Sequence, residues 1–127
     1  MSAVAQVLAV VLGLLLIAVG ILESFFSANP RLFPVFRIRP EDRRAVRLWT
    51  VNQGFYNMMY GAGALVGVLL VNTGQETVGR TLVLFTAASH VVLGIVLVVS
   101  EPKLWRGAVG QAGVAALTLV ATLLPSG

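Results

Sequence analysis

The feature that most constrains this chain is the apolar run over residues 3–26, which consists almost entirely of Val, Leu, Ile, Ala and Gly. A helix of this length rises about 36 Å, which is sufficient to cross a hydrocarbon core of about 30 Å with some tilt. A cleaved signal peptide is the alternative. Against it, no Lys or Arg precedes the run, and the run is longer than the apolar part of a signal. We therefore expect a membrane-spanning helix over residues 3–26.

Three further segments have the length and apolar character of membrane spans, and they cover residues 41–71, 80–99 and 104–124. Of all residues, 57% are hydrophobic and 11% are charged, far from the balance of a soluble domain. The sequence therefore predicts an all-α fold, a polytopic membrane four-helix bundle that forms one transmembrane domain over residues 1–127. The chain has no Cys, which excludes disulfides, thiolate metal ligands and a cysteine nucleophile.

Basic residues are concentrated on one side of this predicted topology. The chain has nine Lys and Arg residues and five acids. Eight of the nine basic residues fall in or beside the loops after the first and third helices, whereas the loop after the second helix has only Arg80. The positive-inside rule then predicts that the first and third loops are cytoplasmic and that both termini lie outside.

The loop between the first two helices combines helix-breaking prolines with aromatic and arginine residues. This composition is typical of an interfacial segment whose apolar side chains enter the membrane while its arginines meet phosphates. The candidate lipid-headgroup contacts are Arg37, Arg39, Arg43, Arg44 and Arg47. Membrane topology and general lipid contact explain these charges more simply than a specific phosphate site does. We expect the lipid bilayer, and not nucleic acid, as the partner of this basic segment.

The second helix opens with a run of hydrogen-bonding side chains, Asn52-Gln53-Gly54-Phe55-Tyr56-Asn57. In a medium without water, such groups need partners. Helical spacing suggests that the polar members share one stripe, and polar residues on the other three helices fall at compatible depths. We therefore expect one ligand-binding polar pocket that opens toward the cytoplasm, formed by Glu23, Asn52, Gln53, Tyr56, Asn57, His90 and Gln111.

Each candidate residue also has a structural interpretation. Glu23 is as well explained by pairing with a loop arginine as by a functional carboxylate role. The amide side chains are more simply explained as interhelical hydrogen bonds, worth about 1 kcal/mol each. His90 is more often a packing residue than a ligand, and without a second nitrogen or sulfur donor we expect no metal and no cofactor. The chain has no catalytic signature such as HExxH, GxSxG or a phosphate loop, so an enzyme is the least favoured class.

The hexapeptide also carries a resemblance. Together with Leu22-Glu23, Gly94 and Gln111, it makes most of the chain similar to a family of small four-helix bacterial membrane proteins catalogued as domain of unknown function 1304. The resemblance implies the same topology, the inner membrane of a bacterium and the same site residues. The chain departs from the family pattern at Leu16, where family members commonly have a histidine. A family activity that needs this histidine would be absent here or would use His90. The resemblance implies no reaction, because the family has no established one.

Three classes of function remain open. The first is binding of a small molecule or lipid headgroup from the cytoplasmic leaflet in the polar pocket. The second is an accessory subunit of a larger membrane complex, or a homo-oligomer, whose polar residues only lock helix packing and whose Gly63 and Gly67 face docks a partner. The third is a small proton-coupled exporter, which the interfacial position of Glu23 and the uneven arginine distribution disfavour. The observation that separates them is whether the polar side chains converge and whether the space between them is filled.

Overall fold

The computed structural model describes residues 1–126, which form an all-helical bundle. Its four long helices are α1 (Ala3–Phe25), α3 (Arg43–Val71), α4 (Glu76–Ser100) and α5 (Trp105–Leu123). A short helix, α2 (Phe33–Phe36), lies between α1 and α3. Each of the four long helices has the length and apolar composition needed to cross a membrane. These helices confirm the predicted all-α fold and are compatible with a multi-pass membrane protein.

The predicted helix bounds agree with the structure except at two starts. Pro40–Asp42 forms a 3₁₀ turn ahead of α3, where the sequence predicts the first turn of the helix. The helix α4 begins at Glu76 instead of residue 80, because the chain reverses in a short turn. In that turn Gly74 has a φ of 89°, a value that glycine adopts readily, and the amide of Gln75 donates to the carbonyl of Leu70 at 2.9 Å.

The long helices form a ring in which α3 lies between α1 and α4, and α5 closes the ring between α4 and α1. Both termini lie at the end of the bundle that also holds the loop between α3 and α4. At this end Asn72 Nδ2 donates to Gln6 Oε1 at 2.8 Å, and the Arg80 guanidinium donates to the carbonyl of Thr122 at 2.9 and 3.2 Å. The connections from α1 to α3 and from α4 to α5 lie at the opposite end. This alternation agrees with the predicted order of crossings, and the side of the membrane that each end faces stays a prediction.

The most extensive helix contact, between α1 and α3, includes two pairs of facing glycines. Gly13 faces Gly61 and Gly20 faces Gly54, so the partners are spaced seven residues apart on helices that run in opposite directions. A Cβ atom on Gly13 would lie 2.9 Å from the carbonyl oxygen of Gly61, and one on Gly20 would overlap the backbone of Gly54. These backbones therefore meet without intervening side chains, as small residues permit in membranes.

The contact between α3 and α4 also depends on glycine. A Cβ atom on Gly67 would lie 2.7 Å from the carbonyl oxygen of Gly79, and one on Gly63 would lie 3.8 Å from the Thr86 hydroxyl. The Gly63 and Gly67 face therefore packs within the bundle and does not present a surface to a partner. Next to it lies the apolar core, formed by Leu12, Leu16, Ala87 and Ala115.

Candidate functional site

Three of the predicted site residues meet inside the bundle. Asn57 Nδ2 on α3 lies 2.6 Å from Glu23 Oε1 on α1, and Asn57 Oδ1 lies 3.5 Å from Nε2 of His90 on α4. The other ring nitrogen of His90, Nδ1, lies 2.9 Å from the backbone carbonyl oxygen of Thr86. We call Glu23, Asn57 and His90 the polar chain, and it links three of the four long helices.

The glycine contacts explain how a side chain as short as that of asparagine reaches across two helices. Glu23 and Asn57 each follow a glycine of the Gly20 and Gly54 pair by three residues, which is close to one helical turn. Because α1 and α3 run in opposite directions, Glu23 and Asn57 lie one turn to either side of this contact, and their Cβ atoms, tilted toward each helix N-terminus, direct the two side chains toward each other across it. The same close approach allows the Ser24 hydroxyl to donate to the carbonyl of Val51 at 2.8 Å.

Exposure changes along the polar chain. The Glu23 side chain is half-buried, Asn57 is 5% exposed and His90 is 0% exposed. Tyr60 presents its ring to the His90 imidazole edge to face, with centroids 5.0 Å apart and planes at 82°. The polar chain therefore leads from a partly accessible carboxyl group to an imidazole that is closed off from the surroundings.

Asn52, Gln53 and Tyr56 do not join the polar chain, and the prediction that they share one inward stripe with Asn57 is wrong. Their side chains are exposed on the outside of the bundle, and Tyr56 is 65% exposed. Asn52 Nδ2 donates at 2.8 Å to the carbonyl of Leu48 in its own helix. For Asn52 the reason is geometric: it lies about 140° from Asn57 around the helix, so both cannot face the interior. The buried side of α3 instead holds Gly54, Asn57, Gly61, Ala64 and Gly67.

Gln111 is half-buried on α5, and its side chain forms no hydrogen bond with another residue in the described part of the chain. Close to it, Ala112 packs against Gly94 of α4. Gln111 therefore lies on the α5 side of the bundle and outside the polar chain.

Sequence reasoning did not select Ser24, Tyr60 or Thr86. Because Thr86 lies four residues before His90 on one helix, the spacing alone indicates that the Thr86 backbone carbonyl can accept a hydrogen bond from the His90 ring.

The arginines form an exposed basic surface at the end of the bundle that holds α2. Arg37, Arg39, Arg43, Arg44 and Arg47 are all exposed. Arg43 and Arg47 lie one turn apart on α3 and line a shallow cleft together with Ser27, Ile38 and Thr50. The predicted contact of these arginines with lipid headgroups stays a prediction. Within residues 1–126, no three His, Cys, Asp or Glu side chains are grouped as metal ligands would be.

Comparison with known proteins gives one match. The model of a family described as "Protein of unknown function (DUF1304)" matches residues 10–123. No curated protein and no solved structure matches the chain. The matched range includes the whole polar chain and all of α3, α4 and α5, which confirms the resemblance that the hexapeptide indicates.

Proposed function

Because the chain belongs to the DUF1304 family, whose function is unknown, we propose its role from geometry alone: the protein is a membrane-embedded assembly unit that associates with a second copy of itself. The interior supports a packing role for the amides more than a ligand site. Asn57 contacts both Glu23 and His90 directly, so the three side chains form a line and do not surround a space. The exterior supplies the surface for association.

We define the outward face of α3 as Ala45, Asn52, Tyr56 and Met59, flanked by Trp49 and Gln53. These residues are all exposed, and Tyr56 and Met59 are 65% and 69% exposed. Successive members of the face lie seven, four and three residues apart, which places them along one side of the helix. The face therefore forms a continuous strip along α3 from Ala45 to Met59.

The single observation that carries the proposal is that this strip directs hydrogen-bonding groups away from the bundle. Within the described residues, the Gln53 amide and the Tyr56 hydroxyl form no hydrogen bond, and Asn52 uses only its Nδ2 group. An amide has both a donor and an acceptor, so two copies of Asn52 or Gln53 related by a two-fold axis satisfy each other. Each such bond between helices contributes about 1 kcal/mol.

Charge supports a second copy as the occupant. Measured around an ideal helix from Asn52, Arg43 lies about 180° away, Arg47 about 140° and Arg44 about 80°. The outward face itself has no charged residue between Ala45 and Met59. Two copies that meet along this face therefore keep most of their arginine charge apart, which limits like-charge repulsion.

Energy transfer between labelled copies in liposomes tests the proposal. The chain has no Cys, so a Gln75→Cys variant carries one dye at an exposed loop position. We expect association that depends on protein density, and we expect Asn52→Leu combined with Tyr56→Leu to weaken it about tenfold, which corresponds to about 1.4 kcal/mol. Phe85→Leu, on the exposed side of α4, is the matched control and should change nothing. A wild-type chain that stays monomeric at every density would contradict the proposal.

The cleft at Arg43 and Arg47 favours a second candidate function, binding of an anionic lipid headgroup. Two guanidinium groups one turn apart, with the hydroxyl of Ser27 in the same cleft, match the chemistry of a phosphate. Native mass spectrometry measures how much phosphatidylglycerol and phosphatidylcholine the protein retains. We expect Arg43→Gln combined with Arg47→Gln to lose phosphatidylglycerol selectively. Arg44→Gln, exposed beside the cleft, should retain it. Equal retention by both variants would exclude a specific site.

A further inference from the structure

Both ring nitrogens of His90 face oxygen atoms. The carbonyl oxygen of Thr86, 2.9 Å from Nδ1, can only accept, so Nδ1 must carry a hydrogen. When Asn57 directs its Nδ2 toward Glu23, its Oδ1 faces Nε2 at 3.5 Å. A neutral imidazole carries one N–H group. In this orientation of the Asn57 amide, Nε2 of a neutral His90 ring has no hydrogen, so Nε2 and Oδ1 are two acceptors that face each other. Only a charged ring, with a hydrogen on both nitrogens, would donate to Oδ1.

The shorter of the two distances along the polar chain favours the opposite orientation of the Asn57 amide. The separation of 2.6 Å between Asn57 and Glu23 is shorter than an ordinary N–H···O bond, of about 2.7–3.2 Å, and falls within the range of O–H···O bonds. The separation of 3.5 Å from His90 exceeds the usual hydrogen-bond range in either orientation of the amide, so the contact with Glu23 is the one that distinguishes the two orientations. A rotation of the amide by half a turn exchanges its oxygen and nitrogen with little change in shape. The oxygen then faces Glu23 and the nitrogen faces His90.

We propose that Glu23, Asn57 and His90 form a proton-binding site within the membrane that rests in a neutral form. In this form the protonated Glu23 carboxyl donates to Asn57 Oδ1, Asn57 Nδ2 donates to Nε2 of His90, and Nδ1–H donates to the Thr86 carbonyl. The site then joins α1, α3 and α4 through a single line of hydrogen bonds in which every donor has an acceptor.

The competing form contains the same number of protons. In it, the proton has left the Glu23 oxygen and resides on Nε2 of His90, and Asn57 is turned so that Oδ1 accepts from Nε2 and Nδ2 donates to a carboxylate. The total charge is zero in both forms. The competing form, however, holds one charge on the fully buried His90 and the other on the half-buried Glu23, and desolvation of such charges is expensive. The neutral form avoids this.

Within residues 1–126 no salt bridge joins Glu23 to a charged group, and the arginines of α3 nearest to it, Arg43 and Arg47, line the exposed cleft with Ser27. On α3, residues 51–71 include no Lys, Arg, Asp or Glu, and the titratable side chain that faces His90 is Tyr60. On α4, Arg80 is engaged with Thr122 at the opposite end of the bundle. On α5, residues 107–123 have no ionisable side chain. Because Glu23 is half-buried while His90 is 0% exposed, protons exchange with the surroundings at Glu23.

The chain contains one histidine, so ¹⁵N-histidine labelling gives a single pair of ring-nitrogen signals. In wild-type protein in lipid nanodiscs at neutral pH, we expect a protonated Nδ1 and an unprotonated, hydrogen-bonded Nε2. Infrared spectra should show a protonated carboxyl band that Glu23→Gln removes. The same variant should leave the ring signals unchanged, because the Gln amide donates where the carboxyl O–H did. A ring with two N–H groups, a hydrogen on Nε2 alone, or no such carboxyl band would overturn the proposal.

Substitution of the bridging residue tests whether Asn57 is the donor to Nε2. Leucine has nearly the shape of asparagine but forms no hydrogen bond, so Asn57→Leu should move the Nε2 signal toward that of a free lone pair. Gln75→Leu, exposed in the turn before α4, should leave it in place. An unchanged Nε2 signal in folded Asn57→Leu protein would show that Asn57 is not the donor. If Asn57→Leu does not fold, the wild-type ring and carboxyl signals decide the question alone.

Discussion

The hydroxyl of Ser24 on α1 donates a hydrogen bond of 2.8 Å to the backbone carbonyl of Val51 on α3. The contact lies next to two others between the same helices, the one between Glu23 and Asn57 and the close approach of Gly20 to Gly54. A hydrogen bond, a polar bridge and a backbone contact therefore hold the same short segment of α1. We expect this segment to be the most sensitive part of the bundle to substitution.

Ser24→Ala should destabilise the bundle modestly. It removes one interhelical hydrogen bond without adding volume, and such bonds in membrane proteins contribute about 0.6 kcal/mol on average. The measurement is unfolding in a titration with dodecyl sulfate, followed by loss of helical circular dichroism. Ser100→Ala, at the exposed end of α4, serves as the control. Equal stability of the two variants would show that the hydroxyl of Ser24 contributes nothing to folding.

Gly54→Ala should be more harmful, because the added methyl group has no space. A Cβ atom at Gly54 would overlap the Ser24 hydroxyl and the carbonyl oxygen of Gly20. Overpacking of this kind costs about 1–3 kcal/mol. Gly110→Ala is the matched control on α5, since nothing lies within 4 Å of a Cβ atom there. That substitution should leave stability unchanged or raise it slightly, because alanine favours helix. A control as unstable as Gly54→Ala would contradict the argument from space.

Arg80→Gln should loosen the end of the bundle that holds the termini. The Arg80 guanidinium donates two hydrogen bonds to the carbonyl of Thr122, in the last turn of α5, where backbone carbonyls lack partners within the helix. Loss of these bonds should increase hydrogen exchange of the last turn of α5 and leave α1 unchanged. Lys103→Gln, exposed at the other end, provides the comparison. Unchanged exchange in α5 would argue against a capping role for Arg80.

The sidedness of the bundle is tested by single cysteines in an otherwise cysteine-free chain. Asn29 and Gln75 are both exposed and lie in connections at opposite ends of the bundle. By the positive-inside rule, a membrane-impermeant maleimide added to intact cells should label Gln75→Cys and should reach Asn29→Cys only after lysis. Labelling of Asn29→Cys in intact cells would reverse the predicted orientation.

The fold could be predicted from hydropathy because a membrane span requires a minimum apolar length, and four segments meet it. The polar chain could be predicted in part. The need of Glu23, Asn57 and His90 for partners in an apolar medium brings them together, as the structure shows.

The outward position of Asn52, Gln53 and Tyr56 could not be predicted by treating every polar side chain as interior. In α3 the glycines mark the buried face, because close backbone contact with α1 and α4 determines how the helix is rotated. That rotation is a property of packed neighbours, and a pattern of polar residues on one helix does not contain it.

The opposed glycine pairs also limit how the bundle can move. A shift of α1 along α3 would press the side chains next to Gly13 and Gly20 against the backbone of α3, because the two helices fit closely only while both glycine pairs stay opposite each other. The two helices therefore behave as one rigid unit, and piston-like sliding between them is blocked. By contrast, Gly107, Gly110 and Gly113 of α5 have open space around them. An opening of the bundle that preserves both this rigid unit and the contact of Gly67 with Gly79 is thus a displacement of α5.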